Sequence, residues 1–137
     1  MQNLTITFVE GWHLREGIHL EEIMWSFAME QRHFGPRQLL VATARADGFV
    51  VGLAHCDQTD PPMMGLKCCL AALDDDAALA VAYSDDFVAA EPPAGLDQRW
   101  KASIEAAEEF GVELVDWIMC DDLMYRSMRQ SVATSEA

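Results

Sequence analysis

The alternation of apolar and polar positions changes period several times along the chain, and each change marks an element. Residues 3–9 alternate and are rich in β-branched side chains, which predicts a short strand. After a loop over 10–18, Leu20, Ile23, Met24 and Phe27 recur at helical spacing, and Gly35-Pro36 stops that helix. Two apolar runs, 38–45 and 49–56, flank Ala46-Asp47-Gly48; Asp-Gly favours a tight turn, so the pair is predicted as a β-hairpin. Asp60 before Pro61 and Pro62 predicts a helix start, with Leu66, Cys69, Leu70 and Leu73 turned inward. Asp74-Asp75-Asp76 closes it; three acids at a helix C-terminus oppose the dipole and predict a solvated turn.

The run 79–83 is predicted as a buried central strand, and 84–95, with Pro92 and Pro93, as an irregular loop. A helix follows over 96–110 with Trp100, Ile104 and Ala107 on one face, capped by Gly111. A strand over 112–120, a turn at Asp121-Asp122 and a short strand within 123–127 complete the pattern. The expected fold is α/β (α+β): a mixed β-sheet flanked by about three helices. One domain is expected over 1–128, with 129–137 as a disordered tail.

Composition narrows the functional classes. Half the chain is hydrophobic (51%), and four Trp and six Phe add large apolar surfaces, enough for a core at 137 residues. No apolar run is long enough to span a bilayer, and the start lacks the basic-then-apolar pattern of a secretory signal. A cytoplasmic protein without membrane contact is expected. Against 9 basic residues stand 23 acidic ones, a net charge of −14, which repels phosphate backbones and argues against direct nucleic-acid binding. A basic protein partner, or solubility alone, accounts for the charge more simply.

The candidate chemistry is sparse. Cys56, Cys68, Cys69 and Cys120 contain no Cys-x-x-Cys spacing, and buried thiols are the expected state. His55-Cys56 are adjacent, but neighbouring strand residues point to opposite faces, so they do not form a nucleophile–base pair. Acids beside Cys120 (Asp121, Asp122) disfavour a thiolate there. His19 and His33 fall at opposite ends of one predicted helix and, with His13, read as surface residues. Trp25 with Met29 lies off the inward stripe of that helix, and an exposed apolar patch there would suit a homodimer or a protein partner. Asp85, Asp86 and Glu91 form an acidic loop, with His55 ending a neighbouring strand, an oxygen-rich set that would suit a hard cation, although a solvated loop is the favoured reading because no known carboxylate spacing is matched.

One stretch carries a family resemblance. The helix 100–110, then Gly111, Val112, Leu114, Val115 and Asp116, then Tyr125 and Ser127, resembles the end of a RadC-like domain of the JAB/JAMM metalloprotease family. That family has an amphipathic helix, a Gly-Ile-x-Leu-Leu-Asp-His strand and a Tyr-x-Ser strand; Trp117 stands here where the family has His. The hairpin over 38–56 and the helix before Leu79 follow the family's order, so the resemblance spans about 37–128 and leaves 1–36 unexplained. It implies a three-layer JAB/cytidine-deaminase-like architecture and a zinc held by His-x-His and an Asp, with a Glu as base. At the matching positions this chain has Tyr83, Asp85, Pro93 and Leu96, and no His occurs after His55. No cofactor is therefore expected, and a pseudoenzyme acting as a binding or assembly module is the leading expectation. The alternative is a metal-dependent hydrolase remodelled around His55, Asp85 and Asp86.

Overall fold

The computed structural model describes residues 5–7, 38–57, 62–73, 76–85, 95–120 and 125–135. They form β1 (Thr5–Thr7), β2 (Gln38–Ala44), β3 (Val50–Asp57), α1 (Pro62–Ala72), β4 (Leu79–Asp85), α2 (Leu96–Glu108), β5 (Glu113–Cys120), β6 (Tyr125–Ser127) and α3 (Met128–Ser135). The six strands make one sheet in the order β1-β3-β2-β4-β5-β6. β4 and β5 run parallel, joined by a crossover that contains α2, and the other neighbouring pairs are antiparallel. The expected mixed α+β fold is thus present.

Local chemistry sets the turns where the sequence places them. The β2–β3 hairpin closes through Gly48 N–H on Arg45 O (2.8 Å), with Gly48 at φ 95°, a left-handed angle that costs glycine nothing. Asp47 adds its carboxylate as acceptor for the Phe49 N–H at 3.2 Å. The end of α2 is a Schellman arrangement: Gly111 N–H donates to Glu108 O and Val112 N–H to Ala107 O, with Gly111 at φ 70°. Val112 and Ala107 both enter the core, supplying the apolar contact that accompanies this cap.

The three helices share one face of the sheet. Leu66, Cys69, Leu70 and Leu73 of α1 are buried as their spacing predicts, against Leu39, Val41, Ala54 and Cys56. Gly65 permits this approach: a Cβ there would lie 3.0 Å from Leu39 Cδ2. On α2 the buried positions are Leu96, Ser103, Ala106 and Ala107. The inner stripe therefore centres on Ser103, with Trp100 and Ile104 at its half-buried margin, because small residues let α2 lie close to the sheet. The Ser103 hydroxyl is accommodated there by donating to Trp100 O at 2.7 Å. The opposite face holds a second cluster built from strands, with Leu40, Ala42, Leu53, Val81, Tyr83 and Ile118, and no residue of the three described helices belongs to it.

Two expectations are revised. Residues 128–135 form α3 where a tail from 129 was expected; Met128 and Val132, spaced one helical turn apart, enter the helix-side core. β5 also departs from simple alternation. Ala80 pairs with Leu114 and Val81 with Asp116, so Val115 is an extra residue in β5. This bulge lets Leu114 and Trp117 reach the helix side, three residues apart, while Val115 packs on the strand-built cluster. The helix expected around Leu20–Phe27, with Trp25 and Met29, the Asp60 cap, and Asp74 and Asp75 lie outside the described residues.

Candidate functional site

The candidate site falls at the C-terminal end of β4. Tyr83, at the first family ligand position, pairs with Leu40 on β2 and Ile118 on β5 and is buried in the strand-built cluster. Its neighbour Ser84 faces the helices. Trp117, on β5, donates its indole N–H to Ser84 Oγ at 2.6 Å, and both side chains are fully buried. The two faces of β4 are therefore filled at this end by a phenol ring on one and an indole on the other. Asp85 ends the strand opposite Cys120. Leu96, at the family's Asp position, is the first residue of α2 and belongs to the apolar core. Pro93, Asp86 and Glu91 lie outside the described residues.

A zinc of the family kind does not fit the residues present. A tyrosine ring in an apolar row and a leucine in the core provide none of the imidazole or carboxylate donors such a metal requires. Among the described residues, no three His, Cys, Asp or Glu come together as a metal site.

His55 is placed differently from the expectation that its strand adjoins the central one. It pairs with Leu40, which pairs in turn with Tyr83, so β2 separates His55 from β4. Two strand spacings, roughly 10 Å, lie between the His55 and Tyr83 backbones. Cys56, one residue on, points to the other face as anticipated. There its thiol lies 3.5 Å from that of Cys69 and 4.0 Å from Gly65 O. The hydrogen bond with Cys56, and then burial, push the Cys69 thiol far above the ordinary thiol range. Cys69 remains a protonated thiol at neutral pH, and neither it nor Cys56 has the exposed, electropositive setting of a nucleophile.

Two residues of the stretch that carries the resemblance, Asp116 and Ser127, do come together, in a structural role. Asp116, beside the β5 bulge, accepts the Trp117 N–H (2.7 Å) and the Arg129 N–H (3.2 Å) on Oδ1, and the Ser127 hydroxyl (2.6 Å) on Oδ2. Ser127 Oγ in turn accepts the Gln130 N–H at 3.1 Å, the geometry of an N-cap on α3. Arg129 donates to Val115 O at 3.3 Å. One buried carboxylate thus ties the bulge, β6 and the start of α3 together. The signal for this was an Asp inside an otherwise apolar strand, followed by a Ser ahead of a polar segment.

A hollow opens at the other end of the sheet, on the helix side. Thr43, Leu70, Ala71, Leu73, Ala77, Phe110 and Val112 line a space of about 300 Å³. These residues come from β2, α1 and the segment between it and β4, and the α2–β5 turn, so only long-range packing brings them together.

Comparison with protein-family models finds no match, and comparison with curated proteins finds none either.

Proposed function

We propose that the chain is a non-catalytic RadC-like JAB domain, of three-layer architecture, that serves as a protein-binding or assembly module. The observation that carries this is the filled end of β4, where Tyr83 and the Trp117–Ser84 hydrogen bond occupy both faces. A hydrolytic JAB site needs metal ligands and space for a water at that position. The reading is further supported by the order hairpin, helix, central strand, helix, strand, strand. Support also comes from the joining of Asp116 with Ser127 in the motif that carries the resemblance.

With catalysis set aside, binding is the remaining use for a scaffold of this kind, and the charge of −14 favours a basic protein partner over nucleic acid. Metal analysis of the purified full chain tests the proposal. Zinc should be absent or far below one equivalent, and the content should not change on dialysis against a chelator. Tightly held stoichiometric zinc would overturn it.

A further inference from the structure

The strand-built face of the sheet is closed to water, yet none of the three described helices lies on it. Val81 and Ile118 are 0% exposed, and Leu40, Leu53 and Tyr83 1%. A sheet face open to solvent leaves its side chains accessible, so a further layer of the chain lies over this one.

Strand connectivity identifies the segment that supplies the layer. β1 and β2 are each antiparallel to β3, so they run parallel to each other with β3 between them. In the same way β3 and β4 are each antiparallel to β2 and parallel to each other. Three crossovers follow: β1 to β2 through residues 8–37, β3 to β4 through α1, and β4 to β5 through α2. All three step across the sheet in one sense, from the β1 edge towards the β6 edge. Crossovers between parallel strands are right-handed almost without exception. For a fixed sense of step, a right-handed crossover lies on one face when its strands point one way and on the other face when they point the opposite way. β3 and β4 point the same way, and α1 and α2 do share a face. β1 and β2 point against them, so their crossover belongs on the strand-built face.

Length and pattern agree with this placement. A parallel crossover takes a dozen or more residues, and 8–37 has thirty. The next longest stretch outside the described residues, 86–94, has nine. Leu20, Ile23, Met24 and Phe27 form one apolar stripe at helical spacing. A helix over 20–34 is about 22 Å long, close to the roughly 23 Å of a seven-residue strand such as β4.

We propose that residues 20–34 pack as a helix across the strand-built face, with Leu20, Ile23 and Phe27 against Val81, Tyr83 and Ile118. The face is then a second core closed by the chain's own N-terminal segment. It leaves no room there for a second copy or a partner, which must dock on the outer surfaces of the helices or at the sheet edges. The placement goes beyond the non-catalytic reading and does not depend on it.

The test is isotope-filtered NMR of the full chain, reading nuclear Overhauser effects from the Tyr83 ring and the methyl groups of Val81 and Ile118. Contacts to Leu20, Ile23 and Phe27 within one chain are expected. Contacts seen only between labelled and unlabelled copies in a mixture would overturn the proposal in favour of a homodimer. Contacts to 86–94 in place of 20–27, or contacts from the stripe to the helix-side core at Leu66 and Leu70, would overturn it as well. In a second measurement, Ile23→Asp should speed amide exchange in β2 and β4 by about tenfold, since loss of one buried Ile is worth that factor. Trp25→Asp, off the stripe, should leave those amides nearly unchanged, and equal effects of the two substitutions would refute the assigned stripe. Because the first measurement needs no substitution, it decides the matter even where a variant fails to fold.

Discussion

At the scale of single residues, several polar groups of the core are set beside an acceptor or donor. Ser84 under Trp117, Ser103 on its own helix turn, and the Cys56–Cys69 thiol pair show this. The thiol pair has a measurable consequence. The hydrogen bond with Cys56, and then burial, raise the Cys69 thiol, so the folded chain keeps a proton that the unfolded chain releases above about pH 8.5. Folded Cys69 binds more protons than unfolded Cys69 above that pH, so stability falls as pH rises; below it both states are protonated and the effect vanishes. Urea unfolding from pH 7 to 10 should show a decline above about pH 8.5, at up to ~1.4 kcal/mol per pH unit from this thiol. Cys69→Ala should flatten that decline, and an unchanged slope in the variant would remove Cys69 as its source. The rows of the sheet explain why other residue-level expectations moved. His55 and Tyr83 share a row but not a strand boundary, and only long-range pairing sets that distance.

At the scale of elements, the C-terminal segment shows how a helix too short to be stable alone is held in place. α3 has eight residues, and isolated helices of that length are marginal in water. It is fastened at its start by Ser127 as cap and by Asp116, which accepts from both Ser127 and the Arg129 N–H, while Met128 and Val132 anchor it in the core. Asp116→Asn would place an amide donor among groups that already donate. A loss of about 2–3 kcal/mol is expected, since hydrogen bonds to a charged acceptor are lost and buried donors are left unmatched. Chemical denaturation checks the size. Protease sensitivity near the C-terminus checks the location, because α3 should loosen first. A neutral outcome would show that α3 is held by Met128 and Val132 alone. The polar face of the segment, Arg129-Gln130-Ser131, conceals this docking from a reading by hydrophobic pattern.

At the scale of the whole molecule, the charge dominates. With 23 acids against 9 bases, and with ion pairs such as Arg45–Asp47 at 3.4 Å lying exposed, self-repulsion opposes the compact state. Added sodium chloride, in the range where the screening length falls from about 30 to about 10 Å, should raise the thermal midpoint of the full chain. A midpoint that fell with salt would mean that specific ion pairs outweigh the repulsion. No helix among the described residues is long and apolar enough to cross a membrane.

Much of the architecture was legible in local signals. The strands at β2 to β5, the helices α1 and α2, the glycine turns at Gly48 and Gly111 and the inward stripe of α1 each depend on residues within a few positions of one another. The sequence by itself also determined the donor set, because no folding can supply imidazoles after His55. Tertiary structure decided the rest. The bulge at Val115 shifts the phase of β5, placing Trp117 over Ser84 and turning Asp116 towards α3. Strand order separates His55 from β4, and the hollow around Thr43 is assembled from three stretches distant in sequence, at 43, 70–77 and 110–112. Register, strand order and cavities arise from pairings between remote residues, whose energies depend on what they meet across the sheet and not on their neighbours along the chain.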